Sequence, residues 1–152
     1  MKAIQLFLSF FCVLGMSCLA NAGEFKDDSK LLEGTWKPVS GELSGKPLPK
    51  EAIQGVVLTM KPGIYEVTVD GNPDKGTFKL NANAKPRRID ITGGPGGPNA
   101  GRTIPAIYEL SGNTLKVCYA LKSTNAPTEF KTEPGQYLLV YQRAKSGTEA
   151  AN

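Results

Sequence analysis

The chain has 152 residues, with 18 Lys and Arg against 14 Asp and Glu, a formal net charge of +4 and no histidine. So mild an excess of interspersed positive charge excludes the clustered basic face that nucleic acid binding wants. The missing histidine removes the usual general base, the commonest metal ligand and any Ser-His-Asp arrangement.

Residues 1–22 read as a secretory signal peptide. Lys2 is a minimal positive start, Ile4 to Leu19 is an apolar run, and Ala20-Asn21-Ala22 supplies small residues for cleavage after Ala22. The polar stretch Gly23 to Asp28 follows directly, which favours cleavage over a retained membrane span. Lipid attachment at Cys18 fits poorly, since Gly15 stands where such a box wants Leu. The expectation is export to the periplasm or the extracellular space. The remaining chain, about 130 residues, suits one domain over residues 23–143, with 144–152 as a small, polar, disordered tail. Only Cys118 lies beyond the signal, so neither an intrachain disulfide nor a multi-thiolate zinc site is expected.

The first element, Ser29 to Glu33, is a helical turn at best. Asp27, Asp28 or Ser29 is placed to cap it, and Leu31 and Leu32 to lie over the end of the fold. From Thr35 the pattern becomes β, with Pro38 forcing an irregularity because it lacks a ladder donor. Val56–Met60 and Ile64–Val69 flank Lys61-Pro-Gly63, a hairpin turn. Asp70 to Asp74 reads as the next turn, then Gly76–Leu80 as a strand. Residues 81–86 turn again before the strand Arg87–Ile91. The glycines and prolines of Gly93 to Gly101 predict a long mobile loop. Ala106–Leu110, a turn at Ser111-Gly-Asn113 and Thr114–Ala120 follow. A second long loop spans 121–135, and Tyr137–Arg143 is the last strand. This gives an all-β fold of about eight strands joined mostly by hairpin-length turns, either a closed barrel or a sandwich.

Two features at the ends favour closure. Gly34 and Trp36, the sole tryptophan, open the first strand, and Arg143 closes the last. This arrangement resembles the lipocalin-like signature, which implies a single antiparallel barrel with the guanidinium lying against the indole. Such a stack is favourable, because a flat cation meets the negative ring face.

The ordered series Leu32-Glu-Gly-Thr-Trp-Lys37, Gly45-Lys-Pro-Leu-Pro-Lys-Glu51, Gly76-Thr-Phe-Lys-Leu80, Lys85-Pro86 with Ile89-Asp-Ile91, Ile107-Tyr-Glu-Leu110, Asn113 to Tyr119, Pro127-Thr-Glu-Phe130 and Arg143 carries a narrower resemblance. Over residues 31–143 the chain is similar to a family of uncharacterised, secreted, lipocalin-like domains abundant in planctomycete bacteria. Ala126 departs from the Arg often found there in that family. The resemblance implies the barrel and export, and no activity.

No catalytic or metal site emerges. Cys118 shares a strand face with Lys116, yet a small residue packed on a strand is the simpler reading. Asp70, Asn72 and Asp74 have calcium-loop spacing, but Lys75 stands where Gly is wanted and Asn81 where the bidentate Glu belongs. Arg87, Arg88 and Arg102 flank the glycine-rich loop as solvated charge. Glu109 and Glu129 are the carboxylates to watch, with a structural role as the default. No cofactor is expected.

Alternation gives the inward set: Tyr65 and Val67 on one strand, Phe78 and Leu80 on the next, Ile89 and Ile91 on a third, then Tyr119 and Tyr141. Apolar and aromatic groups with a few phenols are what small-molecule pockets present. The expectation is therefore a non-catalytic binder of a small apolar molecule. The alternative is an envelope-associated structural or protein-interaction module whose barrel is filled by its own side chains.

Overall fold

The computed structural model describes residues 27–145; the expected signal peptide, and the expected tail from residue 146, lie outside them. A short helix α1 (Ser29–Leu32) precedes nine strands: β1 (Gly34–Leu43), β2 (Lys46–Pro47), β3 (Val56–Lys61), β4 (Ile64–Val69), β5 (Asn72–Asn81), β6 (Arg87–Gly93), β7 (Thr103–Ser111), β8 (Thr114–Ala120) and β9 (Gln136–Arg143). A 3-10 turn, Lys50–Ala52, joins β2 to β3. Each pairing is antiparallel, running β1-β3-β4-β5-β6-β7-β8-β9, and β1 pairs again with β9. Eight strands thus close a barrel, and β2 hangs from the far end of β1. Closure leaves the eight barrel strands no free edge.

Alternation sets which face is buried. In β3, Val56, Leu58 and Met60 are buried and Val57 and Thr59 are not. In β8, Leu115 and Val117 point inward with Tyr119. Pro38 sits where expected at an irregularity: the β1–β9 register slips between Pro38 and Ser40, leaving Val39 as the extra, exposed residue.

Several boundaries differ from the sequence reading. β5 starts at Asn72, because Asp70 and Gly71 alone make the turn, with φ of 49° and 84°. That is the Asp-Gly pattern of a two-residue type I′ hairpin, whose twist matches the strands it joins. Asn72 and Asp74 are therefore ladder residues paired with Val69 and Val67, and no calcium loop exists there. The glycine-rich segment is irregular, as expected, but is tied down rather than loose. Gly94 N–H donates to Lys75 O at 2.8 Å, Gly93 N–H to Arg102 O at 3.0 Å and Gly101 N–H to Gly93 O at 2.9 Å. Ala144 continues the β1 pairing, its N–H donating to Thr35 O at 2.8 Å.

Candidate functional site

The barrel has a sealed end and an open end. The sealed end is built by the two chain ends. Trp36 and Arg143 are register partners, and the guanidinium carbon lies 4.1 Å from the indole centroid. The indole is fully buried, and its Nε1–H donates to Leu32 O at 2.9 Å. Arg143 Nη2 donates to Leu31 O at 2.7 Å, and its Nη1 donates to Glu33 O. One side chain thus satisfies two carbonyls at the C-terminal end of α1 while covering the ring. Gly34 makes room for this. Its φ is +132°, and a Cβ there would stand 2.8 Å from Arg143 Nη1.

Beneath this layer Leu32 is fully buried and reaches the interior, whereas Leu31 is 57% exposed, so only one of the two leucines covers the barrel. Asp28 does not cap α1. Its buried carboxylate accepts from the Tyr108 hydroxyl at 2.9 Å and from Arg87 Nη1 at 3.0 Å. Burial and the bond to Asp28 push the Tyr108 phenol well above its ordinary range. Asp27, which stayed outside, accepts from Ser29 N–H at 3.0 Å.

Above the seal lies a cavity of about 230 Å³. Of the eight residues expected inside, Tyr65, Val67, Phe78, Ile89, Ile91, Tyr119 and Tyr141 line it. Leu80 does not; it packs against the core beside them. The lining also takes in Leu58, Met60, Ile104, Tyr108, Val117, Tyr137 and Leu139, which the same alternation would have found had every strand been read through. Tyr119 and Tyr141 share a hydroxyl–hydroxyl hydrogen bond of 3.1 Å, and burial raises both phenols. Tyr137 tilts against Tyr119 with ring centroids 6.0 Å apart.

Asp74 is the polar exception in the lining, together with Asn99 from the glycine-rich loop. In β5 the inward series Phe78, Gly76 continues to Asp74, which pairs directly with Val67. The signal was available in the period of two, but reading Asp70 to Asp74 as a turn hid it. Asp74 Oδ1 is buried without a hydrogen-bond partner among the described residues. Gly97 lies over it so closely that a Cβ there would come within 2.1 Å of Oδ1.

The outer face explains the remaining candidates. Register places Glu42, Leu138, Cys118, Ile107 and Arg88 in one row around the barrel. Part of the loop over residues 121–135 covers that row, with Pro127 buried and Thr124 to Thr128 bordering a groove with Ile107. Thr132 pins the loop to β1: its N–H donates to Glu42 Oε1 at 3.1 Å, its hydroxyl donates to the same oxygen, and Gly45 N–H donates to Thr132 Oγ1 at 2.7 Å. Those donors hold the Glu42 carboxyl below its usual value. Cys118 is fully buried, and burial together with nearby Glu42 pushes its thiol up to about 11. Lys116 does not serve it, being paired to Glu109 at 3.0 Å and lying 6.0 Å from the Phe130 centroid. Glu109 is thus half of an exposed ion pair, and Glu129 is exposed. Arg87 and Arg88 pair with Asp28 and Asp90. No group of three or more Cys, Asp or Glu suited to a metal occurs among the described residues.

No family model and no curated protein matches this chain. Among solved structures, the chain is similar to an uncharacterized protein from Bacteroides eggerthii DSM 20697, determined by crystallography at 2.60 Å resolution. The two share 13% identity with a TM-score of 0.47, over 74% of this chain and 99% of that one.

Proposed function

We propose that this chain is an exported, non-catalytic binding protein of the secreted lipocalin-like kind its sequence resembles, and that it holds a small, largely apolar guest inside the barrel. The observation that carries the reading is the cavity of about 230 Å³, walled by side chains from seven strands and floored by Leu32. An apolar cavity of about 150 Å³ holds benzene, so this one suits a single ring with a short chain. A sterol or a long fatty acid would project from it. The phenols of Tyr65 and Tyr137 add polar edges to an otherwise greasy wall.

The Tyr119–Tyr141 contact favours a second reading, because two aromatics joined inside an eight-stranded barrel consume interior volume. In that reading the protein is an envelope-associated module and the residual space is a packing defect. Titration with one-ring aromatics and short alkyl compounds, followed by calorimetry and melting temperature, separates the two. A guest at a hundred times its dissociation constant stabilises the fold by about 2.7 kcal/mol. A flat response across the panel, with no small molecule retained in mass spectra of protein from its native host, rejects the binding reading.

A further inference from the structure

Resting on that reading, we infer that the guest carries a protonated amine, and that Asp74 receives it at the open end of the barrel. The polar groups of the cavity differ in what they still offer. The Tyr119 and Tyr141 hydroxyls are engaged with each other, and the Tyr108 hydroxyl is committed to Asp28 at the sealed end. Asp74 Oδ1 is a buried acceptor with no donor among the described residues. That oxygen is closed in under Gly97, so the carboxylate is left poorly compensated, and a cationic guest beside the carboxylate offsets that cost on binding.

The charge pattern narrows the donor. No Lys or Arg lines the cavity among the described residues, and Asp74 is its one charged side chain. A carboxylate headgroup would meet repulsion and no cation. A hydroxyl would give the carboxylate one neutral bond. An ammonium brings three donors and opposite charge, and charge-assisted bonds are about twice as strong as neutral ones. Asn99 and the Tyr65 phenol, further polar groups of the lining, bring oxygens that can accept from an ammonium. The body of the guest then runs down from Asp74 past Val67 and Phe78 toward Leu32.

The test uses the folded chain and three compounds with the same ring: 2-phenylethylamine, 2-phenylethanol and phenylacetate, each titrated by calorimetry at neutral pH. The amine is expected to bind roughly ten- to a hundredfold more tightly than the alcohol, the range a hydrogen bond to a charged group contributes. Phenylacetate is expected to be weakest of the three. D74N, shown to be folded by its melting curve, should bring the amine-to-alcohol ratio close to one. Equal binding of amine and alcohol by the unaltered protein overturns the amine assignment and leaves the cavity reading standing. An amine preference that survives in D74N overturns the role of Asp74. Failure of all three compounds, along with the wider panel, overturns both this inference and the reading on which it rests.

Discussion

Arg143 shows how much one side chain contributes when its shape matches its place. Its guanidinium stacks on Trp36 and donates to two carbonyls of the preceding turn. Lysine would keep the charge but lose the flat face and the fork. R143K is expected to lower stability by about 1–3 kcal/mol, in line with charged hydrogen bonds, and W36A by roughly 3–5 kcal/mol, as for a large buried aromatic. Urea unfolding measures both, and an R143K midpoint equal to the unaltered protein would show the stack to be incidental. Cys118 is the opposite case, a residue whose surroundings suppress its chemistry. With its thiol pushed up to about 11 and no exposed surface, it is expected to react with a thiol reagent only as fast as the barrel opens. Labelling that ignores sub-denaturing urea and matches the unfolded chain would contradict this. Trp36 and Arg143 were legible because their residue types are rare and their positions bracket the strand series. Asp28 and Asp74 were not. Each sits in a polar stretch that reads as cap or turn, and only the fold shows that one carboxylate enters the sealed end and the other the open end.

Among the elements, the strands followed from the period of two, and the irregular segments did not follow from composition. Seven glycines or prolines from Gly93 to Gly101 looked like freedom, yet backbone bonds to Lys75 and Arg102 fix the segment over the cavity. Its glycines matter for closeness: a Cβ at Gly93 would lie 2.1 Å from the Asn99 carbonyl oxygen, a backbone atom that cannot swing aside. G93A is expected to free the segment, read as faster amide exchange across residues 94–102 with little change in β3 or β4. The loop over 121–135 depends on Glu42 in a pH-dependent way. The donors from Thr132 lower the folded-state value below the unfolded one. The contribution is therefore fully present above the ordinary glutamate range and is lost as pH falls through the lowered folded value. At neutral pH the unaltered protein should be more stable than E42Q, and the gap in urea midpoint should close on acidification. A gap that widens as pH falls would reverse the assignment.

On the scale of the whole molecule, closure joins the two strands that are furthest apart in sequence. Most neighbouring strands meet across short turns, but β1 and β9 meet across the 92 residues between Leu43 and Gln136. Each doubling of a loop costs about 0.6 kcal/mol, so closing the barrel costs about 3 kcal/mol more in chain entropy than closing a hairpin. That cost has to be met before the Trp36–Arg143 stack and the β1–β9 ladder return anything. Contacts of this kind are expected to form late, after the hairpins have narrowed the search. Two buried residues separate the cases. Leu139 lies on β9 against β1, and Leu58 lies on β3 within the β3–β4 hairpin. Truncating either to alanine should cost about 2–5 kcal/mol at equilibrium. L139A should spend most of that loss on faster unfolding, whereas L58A should also slow folding. Chevron plots followed by Trp36 fluorescence read both arms, because the indole sits at the seam that closure completes. If L139A slows folding as much as L58A does, β1 and β9 are already joined at the transition state, and the barrel closes before its hairpins consolidate.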